Sequence, residues 1–460
     1  MICDMMKHLK NVDNWLGGLQ WLMYIFINTV VVPITMGAAF DLSQAEIVST
    51  MQFSFILGGI ACLMQVFIGH RRPIMDGPSG LWWGVLLALS SLAAAQGMPI
   101  TEVGGSIATG LIITGILTVI IGLTGVGYYL EKLFNPSVMG VFMLLFGVSL
   151  CISFFKGMVG LPFGGGDGPT EIQIGPAILS FVIVILVLIL TIRGSNKLSQ
   201  YAMLIGIIVG WPAYLLLFGS DAQLTSGTAS SLEIFWFPLG SPAWNIGIIL
   251  TVVITGMLNL SKQYGSIKGT DPIYPDSPST SKDYRNSFTI TGIMTIIPGF
   301  LGLVPYSPFV SSIGFIQQTK IYERMPFIFG AVMFFVMGAI PQIGSFFTMI
   351  PLSVGCAVLF VSYVQLFGSA WDWFKLVEFN SLNIYRAAIP MFLGLVLMAV
   401  PASAFASLPG YVQPLLSSGL LMGTIISIAM ENFLNWDKVG ATISNNIGKN
   451  IEKEEPVNKL

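Results

Sequence analysis

The chain has 460 residues, of which 54% are hydrophobic and only 9% are charged, and its mean hydropathy is +0.81. Soluble domains carry about a quarter of their residues as charged side chains, so these values exclude a string of soluble domains. They predict a polytopic membrane protein. The 20 basic and 22 acidic residues give a net charge of -2, which excludes nucleic acid as a partner.

Reading the apolar runs between polar breaks predicts fourteen membrane spans. The third and tenth are short, and each follows a stretch rich in Pro, Gly and Ser that should be extended rather than helical. The spans are expected near 17–38, 47–68, 80–95, 104–123, 136–155, 175–192, 200–218, 244–261, 286–303, 312–319, 327–343, 349–367, 384–400 and 412–434. The first apolar run has about twenty residues and is too long for a signal peptide, so the first span is expected to be retained.

The distribution of basic residues predicts the orientation. With the N-terminus inside, nineteen of the 20 basic residues fall on the cytoplasmic side and only Lys156 falls outside. Cytoplasmic loops carry an excess of Lys and Arg. We therefore expect both termini to be cytoplasmic, in a multi-pass protein of the cell membrane.

Two internal similarities predict a repeat. Pro136 and Gly140 open span 5 with the pattern P-x-x-x-G, and Pro351 and Gly355 open span 12 with the same pattern. The short spans 3 and 10 also each have a proline just before the helix. Seven spans separate the members of each pair, and an odd number inverts the second copy, as in secondary transporters. Chance recurrence of P-x-x-x-G in a chain rich in Gly and Pro is the alternative.

Broken helices predict a binding site. They place free backbone N–H groups and a positive dipole end at mid-membrane, which suits a polar or anionic ligand. Here segment 73–79 is expected to face segment 305–311, whereas ordinary kinks satisfied by neighbouring helices are the alternative. The candidate binding residues at these two helix starts are Ser79, Gly80, Leu81, Ser311 and Ser312.

Two ionisable residues near the predicted spans are candidates for substrate binding or proton coupling, because charges inside a membrane need a functional reason. Asp76 either faces inward or is a surface carboxylate paired with Arg71 and Arg72. Lys262 ends span 8 and either faces the site or extends its long stem to the cytoplasm. Glu431 is interpreted as a solvated charge.

Several kinds of chemistry are excluded. No G-x-x-x-x-G-K-[ST] phosphate loop occurs, so the chain is not expected to hydrolyse ATP. The only histidines are His8 and His70 and no C-x-x-C pair occurs, so neither a zinc protease nor a metal site is expected. Cys3, Cys62, Cys151 and Cys356 are interpreted as packing residues. No enzyme and no cofactor are predicted, which leaves transport.

The chain resembles the type 2 nucleobase:cation symporters, also called nucleobase/ascorbate transporters, which include uracil and xanthine permeases. The similarity runs from about Trp15 to Glu431. Its strongest pieces are Leu19-Gln20, Thr29–Pro33, Leu133–Gly140, Met349–Gly355 and Pro305–Thr319.

The resemblance implies fourteen spans in two inverted seven-span repeats, with the substrate between the short strands of spans 3 and 10. It also adds Gln20 to the candidate binding residues. The implied units are a cytoplasmic N-terminus 1–14, a core domain 15–123 and 244–343, a gate domain 124–218 and 349–434, and a cytoplasmic tail 435–460. A homodimer through the gate domain is a further expectation.

The departures from the family pattern concern the site. Trp21 stands where the family usually has a histidine after the span 1 glutamine, and Lys262 stands at the position of its span 8 glutamate. In span 10, Ser311 and Ser312 replace a glutamate or glutamine and an asparagine. A pair of carboxylates reading the N–H edges of a base is therefore not expected here.

Two functions remain. The first is a permease for a purine-like, xanthine-like or uracil-like base, a small planar solute carried with protons or sodium ions. The second is an anion transporter of the sulfate-permease type, which Lys262 favours and the short tail after span 14 opposes. A membrane scaffold or enzyme is a third, minor alternative.

Overall fold

The structure is a computed structural model that describes residues 12–125, 135–161, 171–194, 198–199, 201–219, 232–380, 384–405, 407–409, 412–434 and 436. Several sequence-level predictions lie outside these residues. They are Cys3, His8, the Leu133-Phe134 start of the span 5 motif and almost all of the tail 435–460.

The described chain is built from helices and two very short strands. The elements before residue 240 are α1 (Val12–Ile27), α2 (Val31–Ala39), α3 (Gln44–Phe67), β1 (Asp76–Pro78), α4 (Gly80–Gln96), α5 (Ile100–Thr124), α6 (Pro136–Met158), α7 (Ile174–Arg193) and α8 (Ala202–Phe218). The elements after it are α9 (Ile246–Lys268), α10 (Ser281–Leu301), β2 (Tyr306–Pro308), α11 (Ser311–Thr319), α12 (Arg324–Ala339), α13 (Pro341–Phe347), α14 (Leu352–Val364), α15 (Leu366–Phe374), α16 (Ile384–Ala399), α17 (Gln413–Leu416) and α18 (Gly419–Phe433).

Several of these helices are long enough to cross a membrane. Among the described residues, seven are both long and apolar enough, and the bent pair α12–α13 would make eight. Four shorter apolar helices lie in α4, α8, α16 and α18. The chain is therefore a multi-pass membrane protein, and each of the fourteen predicted apolar runs contains a helix.

Local sequence signals explain where the helices begin and end. The side chain of Asn135 accepts a hydrogen bond from the backbone N–H of Val138, and Pro136 occupies the first position of α6. Proline is favoured there because its missing N–H would have no partner anyway. Gly302 ends α10 with a φ of 64°, a left-handed conformation that glycine adopts without strain.

The two strands confirm the expected meeting of segments 73–79 and 305–311. β1 and β2 pair antiparallel, with Asp76 opposite Pro308 and Pro78 opposite Tyr306. Beyond the ladder, the N–H of Ser79 donates to the carbonyl of Pro305 at 2.8 Å. Neither span 3 nor span 10 is a continuous helix, because each begins with a strand that ends at a proline.

The helices pack in two groups. In the first, α5 packs along α9 and α10, while α12 packs along α1 and α3. In the second, α6 packs against α14, α15, α16 and α18, while α14 also packs against α7 and α8. Contacts between the groups include α4 with α6, α2 with α14, and α9 with α17.

The second group contains a partly buried ion pair that the sequence did not predict, in which the Arg386 side chain is 20% exposed. Glu431 of α18 is not a solvated charge, since its side chain is only 4% exposed. Its carboxylate accepts two hydrogen bonds of 2.6 Å from the guanidinium of Arg386 and a third from the amide of Asn135. These contacts join α16, α18 and the start of α6.

Candidate functional site

Lys262 lies inside the protein, among the starts of the helices that follow the strands. The residue is 7% exposed, and its ammonium donates to the hydroxyl of Ser79 over 3.3 Å. The nitrogen also lies 5.2 Å from the centre of the Phe309 ring, a distance at which the ring face attracts a cation. The interpretation of Lys262 as a charge reaching to the cytoplasm is therefore wrong.

The α9 helix fixes this arrangement. Asn259 and Lys262 are three residues apart, so their side chains share one face of the helix. The hydroxyl of Ser79 donates to Oδ1 of Asn259 over 2.9 Å and offers its free electron pair to Lys262. Ammonium groups have three N–H donors. Two of those on Lys262 have no acceptor among the described residues.

The α4 helix begins directly beside this lysine. The N–H of Trp83 bonds to the carbonyl of Ser79, so the N–H groups of Gly80 and Leu81 precede the first helical hydrogen bond. Gly80 has no room for a side chain, because a Cβ there would lie 2.7 Å from Phe146 of α6. Ser79, Gly80 and Leu81 thus form one positive helix end close to Lys262, in agreement with the sequence prediction.

The α11 helix contributes the second helix start. Ser312 is fully buried, and its hydroxyl accepts a hydrogen bond of 3.1 Å from the N–H of Met75. Ser311 is exposed, and its hydroxyl lies 2.6 Å from the hydroxyl of Tyr24 on α1. The two serines therefore divide their roles, with Ser312 holding the strand approach and Ser311 available at the surface of the site.

Asp76 lies on β1 and is 1% exposed. Neither of its carboxylate oxygens has a hydrogen-bond partner among the described residues, and no ion pair within 4.0 Å joins it to Lys262. Its backbone N–H instead faces the sulfur of Cys62 at 3.3 Å. The interpretation of Asp76 as a surface carboxylate is wrong.

Arg72 pairs with Asp271 and not with Asp76. The guanidinium of Arg72 donates to Asp271 over 3.1 Å and to the hydroxyl of Thr270 over 3.0 Å. The carboxylate of Asp271 also accepts hydrogen bonds from the N–H and the hydroxyl of Ser279 and pairs with the Lys268 ammonium at 3.0 Å. This ion pair ties the approach to β1 to the loop after α9.

The role of Gln20 in binding stays a prediction. Gln20 is half-buried on α1, and the aromatic residues near the two helix starts differ in their contacts. The indole of Trp83 donates to Thr35 and is used in packing. Trp82 and Tyr306 are fully buried, and the described ring contact of Lys262 is the one with Phe309.

Tyr24 and Asn259 are neighbours of the site that the sequence did not single out for it. Trp21, which the sequence did single out, contacts Phe315 of α11 with ring centres 4.6 Å apart and ring planes tilted by 58°. The spacing of Asn259 and Lys262 on one helix could have predicted that Asn259 lies near the site. No sequence pattern predicts the contact of α1 with α11. Among the described residues, no group of three or more His, Cys, Asp and Glu side chains is suited to hold a metal ion.

Solved structures share this fold. The transmembrane domain of a cyanobacterial bicarbonate transporter, BicA, matches with a TM-score of 0.60 and 16% identity, over 92% of this chain and 97% of that one. The mouse anion transporter Slc26a9 in its inward-facing state matches with a TM-score of 0.61 and 14% identity, over 91% of this chain and 68% of that one. At such identities, the likeness concerns the fold alone.

Proteins related in sequence indicate the family more specifically than the solved structures do. A Bacillus subtilis protein with the provisional name purine permease YwdJ is 28% identical over 92% of this chain and 96% of its own length. The uric acid permease PucJ of Bacillus subtilis is 24% identical over 91% and 92%. The uric acid transporter UacT of Escherichia coli is 24% identical over 91% and 85%.

The family model Xan_ur_permease, described as the Permease family, matches residues 13–403. This match covers most of the chain, including both strands, Lys262 and the P-x-x-x-G segments of α6 and α14. The similarity to the nucleobase transporters expected from the sequence is thereby confirmed, and the chain is a divergent member of the xanthine and uracil permease family.

Proposed function

We propose that this protein is a secondary active transporter that carries a purine-type base, of the xanthine or uric acid kind, across the cell membrane. Its relatives are named as permeases for purine and uric acid, which supports the class of substrate. The observation that carries the proposal is Lys262, a buried ammonium with two unused N–H donors beside the start of α4.

The geometry favours an acceptor-rich edge of the base. Lys262 would donate to a carbonyl oxygen of the base or to the electron pair of a ring nitrogen. The backbone N–H groups of Gly80 and Leu81 add donors from α4. Phe309 offers an apolar face, and Ser311 offers a hydroxyl that can donate or accept. A base whose edge presents mainly N–H donors would leave Lys262 without an acceptor, at the cost of an unsatisfied buried charge.

The proposal includes fourteen spans in two inverted repeats. Symmetric packing supports the repeats, since the pairing of α5 with α10 and α9 has its counterpart in that of α12 with α3 and α1. The strand ends support them too. The bond from Ser79 N–H to Pro305 has its counterpart in the 2.9 Å bond from Phe309 N–H to Met75, as expected about a twofold axis between the strands.

In this arrangement, segments 15–123 and 244–343 form a core domain that holds the base, and segments 124–218 and 349–434 form a gate domain. Transport would follow from movement of one against the other, with both termini in the cytoplasm. The outward apolar face of α7, with Ile178, Val182 and Ile185 exposed, would contact lipid or the gate of a second copy.

Uptake of radiolabelled bases tests the proposal. Cells lacking their own purine permeases would express the chain and be offered xanthine, urate, adenine, uracil and sulfate separately. We expect uptake of xanthine or urate. Lys262→Gln should abolish uptake with the protein still in the membrane, and Lys262→Arg should fail as well because a planar guanidinium cannot replace a compact ammonium.

The control is Lys282→Gln, which removes the same charge from an exposed position at the start of α10 and should leave uptake unchanged. Uptake of sulfate alone would favour the anion transporter instead, a reading that Lys262 also permits. Normal xanthine and urate uptake by Lys262→Gln would remove the lysine from the site.

A further inference from the structure

We propose that Lys262 serves in turn as the counter-charge of Asp76 and of an anionic base, so that binding of the base loads a proton onto Asp76. The inference rests on the proposed function, and it adds the charged form of the substrate and the ion that is carried with it. The observation behind it is the unusual state of Asp76, a buried carboxylate at the start of β1 whose oxygens have no hydrogen-bond partner among the described residues.

Asp76 is enclosed on every side. The described groups that interact electrostatically with its carboxylate include Cys62 and Gln65 of α3, Tyr306 of β2 and Lys262 of α9. Lys262 is the only positive charge among them. It is close enough to act on Asp76 through space, but its described hydrogen bond goes to Ser79.

Gln65 lies beside the Asp76 carboxylate, but the hydrogen bonds of its amide go to other groups. Its Nε2 donates to the carbonyl of Ser287 and to the hydroxyl of Thr291, both at 3.3 Å, and its Oε1 accepts from the hydroxyl of Ser287 at 2.8 Å. Gln263 donates to the same Ser287 hydroxyl at 2.7 Å. This network joins α3, α9 and α10, and it leaves Lys262 as the one positive charge among the described groups that act on Asp76.

Charge balance then couples the two sites. With no base bound, Lys262 and Asp76 carry opposite charges and the interior is neutral overall. An anionic base that takes up the free N–H donors of Lys262 would leave the negative charge of Asp76 unbalanced in a membrane interior, where such a charge is expensive. Uptake of one proton by Asp76 restores neutrality, and release of the base reverses the step.

The surroundings of Asp76 favour binding of a proton over binding of a metal cation. Hard cations require several oxygen ligands around them, and the ammonium of Lys262, which acts on Asp76 through space, would repel a second cation placed beside this carboxylate. A proton requires only one carboxylate oxygen. We therefore expect coupling to protons and not to sodium.

Proton uptake on binding is the direct test. Purified protein in a weakly buffered detergent solution with a pH-indicator dye would be mixed with urate, which is an anion at neutral pH. We expect the wild-type protein to take up one proton for each urate bound. Asp76→Asn, which mimics the protonated carboxyl group, should bind urate and take up none.

Two further variants keep the result interpretable. Asp41→Asn makes the same acid-to-amide change at an exposed turn, where the positive φ of 53° suits asparagine, and it should retain proton uptake. Asp76→Glu keeps a group that can be protonated and should retain it too. In proteoliposomes, a pH gradient should drive urate accumulation by the wild type, whereas Asp76→Asn should only exchange urate across the membrane.

Each failure has a distinct meaning. If the wild type binds no purine base, the proposed function itself fails. If it binds urate without proton uptake, if a sodium gradient drives accumulation, or if Asp76→Asn still takes up a proton, the coupling through Asp76 is wrong while the transporter assignment stands.

Discussion

A lysine inside a membrane protein is retained only where its surroundings offset part of the cost of its charge. Ser79 accepts one N–H of Lys262, and the Phe309 ring lies 5.2 Å from the nitrogen. These contacts position the ammonium without neutralising it. The residue is therefore held in place for a ligand, which distinguishes it from Arg386, whose guanidinium is engaged by the carboxylate of Glu431.

Ser79→Ala tests this positioning role. The change removes the acceptor for Lys262 and leaves Oδ1 of Asn259 without its donor. An unsatisfied buried polar group costs about 1 to 3 kcal/mol, so we expect the KM for the base to rise about tenfold with little change in the amount of protein in the membrane.

The matched control is Ser261→Ala, next to Lys262 on α9. The hydroxyl of Ser261 is buried and has no partner among the described residues, so its removal should leave the KM within about twofold, since a group without a hydrogen bond contributes little. Equal effects of the two substitutions would indicate a general packing change and contradict the role of Ser79.

The sequence predicted the composition of the site better than its contacts. The helix starts at Gly80 and Ser311 followed from prolines and serines that interrupt apolar runs. Tyr24 and Ser311 are 287 positions apart in the chain, and their contact was unpredictable because it depends on how α1 packs against α11. The sequence could not decide whether Asp76 faces inward or pairs with Arg72 either, because Arg72 pairs instead with Asp271, which lies 199 positions away in the chain.

At the scale of elements, proline positions allowed the sequence to predict both broken spans. The bend of 90° between α12 and α13 was missed, although Pro341 begins α13, because the run 327–343 reads as continuously apolar. The count of fourteen spans stays a prediction. Helices such as α11 are too short to be recognised as membrane spans by their length. Their assignment as spans depends on how they pack against the other helices.

The contacts of Glu431 provide a stability prediction for the second helix group. Glu431→Ala would remove two hydrogen bonds from Arg386 and the acceptor of the Asn135 amide. Because the Arg386 side chain is 20% exposed, loss of this pair should cost less than that of a fully buried pair, about 3 kcal/mol or more, but more than the loss of an exposed one. We expect a clearly lower midpoint of thermal unfolding in detergent, because three helices lose their common contact.

Asp372→Ala is the comparison, since Asp372 is 74% exposed in its ion pair with Lys375. Exposed pairs contribute about 0 to 1 kcal/mol, so its unfolding midpoint should stay close to that of the wild type. A Glu431→Ala protein as stable as Asp372→Ala would show that the partly buried pair does not hold the group together.

At the scale of the molecule, the two helix groups meet across few contacts, whereas the helices within each group pack along their length. Movement between the groups would change the surroundings of Gly80, which lies against Phe146 of α6, while Lys262 and both strands move together. A disulfide between the groups should therefore stop transport, and one inside a group should not.

Val31 of α2 and Gly355 of α14 provide the crosslink between the groups. A Cβ on Gly355 would lie 3.6 Å from that of Val31, within the range of about 3.5 to 4.5 Å found in disulfides. In a background with the four native cysteines replaced by alanine, Val31→Cys with Gly355→Cys should lose base uptake on oxidation and regain it on reduction.

Thr114→Cys with Gly256→Cys is the matched pair inside the first group, because the corresponding Cβ distance between α5 and α9 is 3.5 Å. Its oxidation should leave uptake largely intact, since those two helices are proposed to move as one body around Lys262. Uptake that survives a complete Val31–Gly355 crosslink would contradict movement of the two groups against each other. Loss of uptake in both crosslinked proteins would place the required motion inside the first group instead.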